Sequence, residues 1–154
     1  MTTQREETRA SWPISPHDEN AATIARALDV WISRLGREFG PLSRPQRRTL
    51  RTLADLSRTG SPVRASDLAE YLGLTSAGAT RMLNKLESAG YVSRYREPDA
   101  DQREVYAALT TAGTEALRAA NAVYFERVER DLGKLDEAER QTLARLLEKL
   151  TAAG

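Results

Sequence analysis

Two stretches of this chain have residue types and spacings suited to chemistry. In the turn EPDADQRE, residues 97–104, four acids (Glu97, Asp99, Asp101, Glu104) surround Arg103, a local balance of −3. In SAGATRMLNK, residues 76–85, hydroxyls and an arginine are interleaved with small residues, and no acid appears before Glu87. Asp99 and Asp101 have the composition of an acid/base couple. They sit on an exposed turn, however, and no nucleophile–base pair is readable, so no enzyme is expected. The absence of cysteine excludes disulfides, thiolate metal sites and thiol redox sensing within the chain. A single histidine, His17, gives no basis for a histidine metal site or a Ser-His-Asp triad. Neither a metal nor a cofactor is expected.

The 76–85 stretch suits a different task. Ser76, Thr80 and Arg81 on one exposed helix face can reach base edges or phosphates in a DNA major groove, whereas a solvated helix usually mixes Glu and Lys along its surface. Composition neither helps nor forbids this. The 154 residues carry a formal net charge of +1, with 40% apolar and 29% charged residues. That length fits one domain with a sizeable core, or one that borrows surface from a twin. Residues 41–64 carry Arg44, Arg47, Arg48, Arg51, Arg58 and Arg64 against Asp55, a balance of +5. A solvated face explains such a run equally well. No apolar run approaches the roughly 18 residues of a membrane span, and the polar N-terminus lacks a signal-peptide core. A soluble, cytoplasmic protein without membrane partners is expected.

The elements that must hold these residues follow from periodicity. Residues 1–17 contain Pro13 and Pro16, show no periodicity, and read as an N-terminal arm in which Trp12 and Ile14 are the adhesive residues. From Asp18, the spacing of Ile24, Leu28, Trp31, Ile32, Leu35 and Phe39 predicts one helix, stopped by Gly40-Pro41. Ser43 with Gln46 forms a capping box opening a second helix with a Leu50, Leu53, Leu56 stripe, ended by Gly60-Ser61-Pro62. Residues 65–90 read as helix, tight turn, helix. Leu68 and Leu72 face inward, Ala69 permits close approach, Gly73 makes the turn, and Thr75 or Ser76 caps the second helix. Ala79, Met82, Leu83 and Leu86 point inward, leaving Ser76, Ala77, Thr80, Arg81, Asn84 and Lys85 outward. A generic helical hairpin would share this spacing. Two β-like runs, from Tyr91 to Tyr95 and from Glu104 to Leu109, then predict a hairpin in the position of a wing. Thr110 opens a long helix with Leu117, Ala120, Tyr124, Val128 and Leu132 inside. Asp136 with Glu139 caps the last helix, whose Leu143, Leu146, Leu147 and Leu150 are expected to be buried against the other terminal helices and a second subunit.

The chain from about residue 20 to 152 resembles the multiple-antibiotic-resistance regulator (MarR) family of winged helix-turn-helix transcription factors. LAEYLGLTSAGATRMLNKLESAGYVSR (68–94) and DADQREVYAALTTAG (99–113) carry the resemblance. The resemblance implies a mostly α fold with a small β-hairpin wing, flanked by N- and C-terminal dimerisation helices. The arm would span 1–17, a dimerisation helix 18–40, the DNA-binding domain 41–110 and C-terminal dimerisation helices 111–152. It also implies that Arg103 enters the minor groove, oriented by Asp101 through a charge-assisted hydrogen bond. Ser76, Ala77, Gly78, Thr80 and Arg81 match the major-groove face; Arg64, Ser66, Arg94 and Arg96 fall where phosphate contacts are expected. Arg94 and Arg96 have Glu97 and Asp99 as alternative partners. Some of Arg44, Arg47, Arg48 and Arg51 would face phosphates and some solvent. Gly78 departs from the family pattern and costs about 1 kcal/mol of helix stability against Ala.

The implied function is a homodimeric regulator of pseudo-palindromic double-stranded DNA, usually a repressor, relieved by a small aromatic or anionic ligand. Trp31, Leu35 and Tyr124 are candidate ligand-lining residues, with dimer core as the competing role, and Arg34 has either a ligand or Glu38 as partner. A small-molecule-binding or protein-interaction module of the same fold, without specific DNA binding, is the alternative.

Overall fold

Short polar residues, Ser43, Thr75, Thr110 and Asp136, stand at the starts of four helices of this chain, where backbone N–H groups need partners. The computed structural model describes residues 19–98, 101 and 103–152. The arm, with Trp12, Ile14 and His17, lies outside the described residues, as does Asp99. The chain forms two units, one ending at Gly36 and one beginning at Arg37.

The first unit contains helix α1, Glu19–Arg34. Its last turn closes through Leu35 N–H donating to the Trp31 carbonyl at 3.1 Å, and Gly36 follows at φ 87°. The helix therefore stops before Phe39, contrary to the expectation of one helix up to Gly40-Pro41. Gly36 adopts the left-handed conformation that ends helices at little cost. Leu35 and Phe39 are four residues apart, and that spacing imitated a helical period.

In the second unit, Phe39 lies on β1 (Glu38–Phe39), which pairs antiparallel with β2 (Leu42–Ser43) across Gly40 at φ 59°. Phe39 is 1% exposed, in the core. Helix α2, Arg44–Ser57, follows, with Ser43 N–H donating to Gln46 Oε1 at 3.0 Å in the expected capping box. Its Leu50 and Leu53 are buried and Leu56 packs at the core edge. Next come β3 (Val63–Arg64) and α3 (Ala65–Leu72), then Gly73 at φ 65°, ψ 34°, and α4 (Ser76–Ser88). Strands β4 (Val92–Tyr95) and β5 (Tyr106–Leu109) complete a sheet ordered β3-β5-β4. The hairpin is thus joined by a third strand that sequence reading did not anticipate. Val63 faces Ala107, and Arg64 faces Tyr106.

Helix α5, Thr111–Leu132, is locked onto the sheet at its first turn. The Thr110 hydroxyl donates to the Gly90 carbonyl at 2.6 Å and accepts from Gly113 N–H at 2.9 Å. Thr110 N–H donates to the Tyr91 carbonyl at 3.1 Å. A Cβ on Gly113 would lie 1.9 Å from that carbonyl oxygen, so the Thr110-x-x-Gly113 motif is a packing requirement. Leu117 and Ala120 join Leu50, Leu53, Leu68, Leu72, Leu83, Leu86 and Val92 in one core. Each buried leucine contributes about 1.5–3 kcal/mol.

Helix α6, Glu137–Thr151, begins with the expected reciprocal cap between Asp136 and Glu139, at 2.9 and 2.8 Å. Its expected buried stripe is not buried within the chain. Leu146 is 46% and Leu150 76% exposed, while Leu143 and Leu147 are half-buried. Periodicity locates an apolar face but does not say what covers it.

Candidate nucleic-acid interface

Helix α4 presents its expected outer face. Thr75 Oγ1 caps it by accepting from Gly78 N–H at 3.1 Å. Ser76, Ala77, Thr80, Arg81, Asn84 and Lys85 are exposed, while Ala79, Leu83 and Leu86 are buried beneath them. Thr80 Oγ1 donates to the Ser76 carbonyl at 2.8 Å, which leaves the hydroxyl oxygen able to accept. At Gly78, a Cβ would lie 3.2 Å from Thr75 Oγ1, a fit that needs only a small shift of the cap. Packing therefore does not demand glycine there.

A cleft of about 330 Å³ brings the start of α4 together with the start of α3 and the wing. Arg64, Ser66, Ser76, Thr80, Arg94 and Arg103 all line it. Ala77, Gly78, Arg81, Arg96 and Asp101 are not among its lining residues. Arg81 and Arg96 are exposed outside it.

The wing turn is built around Asp101. Its carboxylate accepts from the Arg103 backbone N–H at 2.9 Å, and its carbonyl accepts from Glu104 N–H at 2.8 Å. That bond fixes the backbone at Arg103, whereas the expectation placed Asp101 as the group that orients Arg103 in the minor groove. Glu104 belongs to a separate cluster, its Oε1 3.2 Å from Arg64 Nε and its Oε2 accepting from the Tyr106 hydroxyl at 2.7 Å. Tyr106 stacks on Tyr95, with ring centroids 5.7 Å apart. The Tyr106 hydroxyl, then the Glu104 charge, hold the Arg64 guanidinium above its ordinary pKa. In turn the Glu104 bond raises the Tyr106 phenol, against the opposing pull of Arg64.

Arg94 has a partner that sequence reading did not name. Its Nε donates to Glu87 Oε2 at 2.9 Å, its Nη2 reaches the same oxygen, and its backbone N–H reaches Glu87 Oε1 at 3.3 Å. That side-chain bond holds the Glu87 carboxyl below its usual range. The expected alternative partner, Glu97, is replaced because the turn after α4 returns β4 alongside the helix end.

Of the α2 arginines, Arg47 faces neither phosphate nor solvent. It is 7% exposed, its guanidinium carbon 3.7 Å from the Tyr124 ring centroid, and Nη1 donates to Asn121 Oδ1 at 3.2 Å. Burial lowers its pKa. Arg51 pairs with Asp55 at 3.7 Å, an exposed i,i+4 bridge. Of the candidate ligand residues, Trp31 lies in the last turn of α1 and Leu35 just after it, in the first unit, while Tyr124 lies in the second, edge-on to Phe39 at 5.6 Å.

An HTH pair packed on a three-stranded wing, with a long helix pinned behind it, defines a winged helix-turn-helix protein. Residues 42–105 match the MarR family model. Over those residues the chain is similar to the MarR family. It is 33% identical over 95 residues to the uncharacterised HTH-type transcriptional regulator YkoM of Bacillus subtilis (strain 168), covering 62% of this chain and 61% of that one. The chain spans 38% and 61% of the length of two curated relatives that it matches. Among solved structures, RV1404 from Mycobacterium tuberculosis is 25% identical with a TM-score of 0.70, covering 90% of this chain and 93% of that one. A mutant MarR from E. coli complexed with operator DNA shares the fold at 24% identity and TM-score 0.66, covering 86% and 96%. Among the described residues, no helix is long and apolar enough to cross a membrane.

Proposed function

We propose that this protein is a cytoplasmic, homodimeric, sequence-specific double-stranded DNA-binding transcriptional regulator. In this reading it is a repressor relieved by a small aromatic or anionic ligand. One observation carries it: hydroxyls of an acid-free helix face share a cleft with Arg64, Arg94 and Arg103. Ser76, Ala77, Gly78, Thr80 and Arg81 would meet the major groove, Arg103 the minor groove, and Arg64, Ser66 and Arg96 the phosphates. The fold shared with an operator-bound MarR supports this assignment. Two reading helices related by a two-fold axis would meet half-sites about 10 base pairs apart. Residues 18–40 and 111–152 would supply the dimer, and 41–110 the reading head. Such a ligand would lower DNA affinity by favouring one spacing of the heads.

The test is titration of genomic and upstream DNA fragments with wild type, Arg81→Ala and Arg103→Ala. Both substitutions are expected to weaken binding, and Arg81→Ala to relax base preference by about 1–3 kcal/mol. Wild type that never binds a preferred fragment would favour the ligand-binding or interaction module instead. The pairing of Arg64 and Arg94 inside the protein is the feature that most favours that rival.

A further inference from the structure

The cleft beneath the wing is not simply basic. Glu104 lines it beside Arg64 and Arg103, and its carboxylate is engaged at both oxygens, by Arg64 Nε at 3.2 Å and the Tyr106 hydroxyl at 2.7 Å. The arrangement is fixed from below. Arg64 pairs in register with Tyr106, Ala65 N–H donates to the Val105 carbonyl at 2.8 Å, and Tyr106 is buried against Tyr95. Swinging Glu104 away from Arg64 would give up the part-buried hydrogen bond that its carboxylate accepts from the Tyr106 hydroxyl.

We propose that Glu104 is an affinity-limiting residue, a fixed carboxylate that cancels the charge of Arg64 in the cleft and so suppresses sequence-independent attraction to duplex DNA. The inference rests on the DNA-binding reading above. Binding without sequence preference grows with the number of phosphates that basic residues neutralise, and each adds about 0.9 to the slope of log affinity against log salt. Base reading by the α4 face does not depend on that count. An internal carboxylate on one cleft arginine thus weakens binding to every sequence while leaving the difference between sequences intact. The same carboxylate holds the Arg64 side chain against the cleft wall, so Arg64 meets DNA as half of a neutral pair.

The experiment is a salt titration of binding to a preferred fragment and to random duplex, with thermal melting of each variant. Glutamine at 104 can still accept from Tyr106, so Glu104→Gln is expected to melt near wild type. It should bind random duplex and the preferred fragment alike several-fold more tightly at low salt, steepen both salt slopes by about 0.9, and leave the ratio of specific to random affinity unchanged. Glu104→Asp, which keeps the charge, should keep a slope near wild type. The double variant Arg64→Gln with Glu104→Gln exchanges one neutral pair for another and should also keep the wild-type slope. It carries the test should Glu104→Gln not fold, and a slope shallower by about 0.9 would show Arg64 acting as an independent phosphate ligand. A folded Glu104→Gln with an unchanged slope, or with uniformly weaker binding, overturns the proposal while the regulator reading stands. Wild type that binds no duplex at low salt overturns both.

Discussion

At the scale of single residues, type and position announce cations, but roles depend on partners that arrive from elsewhere in the chain. Arg94 is written into the sequence as a wing arginine, yet its partner Glu87 lies seven residues back, on the end of α4. The Arg94 bond depresses the Glu87 carboxyl, so this pair stabilises the fold above the carboxyl's unfolded pKa and is lost as pH falls through the lower folded value. Glu87→Gln is accordingly expected to melt below wild type at neutral pH, with the gap closing as pH falls through the carboxylate range. Melting curves for both proteins across that range would check it, and a gap that persists at the acid end would discard the linkage. Arg47 was equally visible as a residue and equally opaque as a role. Its place over Tyr124 requires α5 to return some 75 residues later, and nothing in the arginine-rich run signals that. By contrast Ser76, Thr80 and Arg81 could be assigned to an outward face directly, because helical period and caps are local.

At the scale of elements, the same division holds between local and distant causes. The caps at Ser43, Thr75, Thr110 and Asp136 were legible since each depends on residues at most three positions away. Strand β3 was not, because two residues have no periodicity of their own and Val63–Arg64 becomes a strand only by pairing with β5. The end of α1 was misplaced for a related reason: Gly36, at φ 87°, outweighed the apolar spacing that continued to Phe39. Gly113 is the clearest case of an element boundary fixed by sterics. Since its missing Cβ would meet the Tyr91 carbonyl at 1.9 Å, Gly113→Ala must push the first turn of α5 off the sheet. Overpacking of this kind costs about 1–3 kcal/mol or more. Helix propensity would return only about 1 kcal/mol. A lower denaturation midpoint is expected for Gly113→Ala in guanidinium titration. A midpoint equal to or above wild type would mean that the α5–sheet junction yields freely.

At the scale of the whole molecule, the unresolved physical demand is apolar surface facing water. Helix α6 has no buried residue, with Leu146 and Leu150 exposed on its apolar stripe, and α1 carries Ile24 at 56% and Ile32 at 45% exposure. A helix of 15 or 16 residues takes most of its stability from packing rather than propensity, so faces like these require a cover. The proposed homodimer supplies one, and it also gives the two reading heads that a pseudo-palindrome needs. Wild type is expected to show twice its 17.1 kDa chain mass by light scattering, with a melting temperature that rises with concentration. Leu146→Asp combined with Leu150→Asp puts two carboxylates on the stripe. Because both side chains are exposed within the chain, the substitution does little to a single subunit's core and acts mainly on the interface. The double variant should run at single-chain mass and keep its winged unit folded. It should also bind a full operator far more weakly than wild type, because tethering of the second head is lost. Wild type at single-chain mass would remove the dimer from the proposal. A variant that stays at double mass would move the interface away from α6, leaving α1 as the face to test.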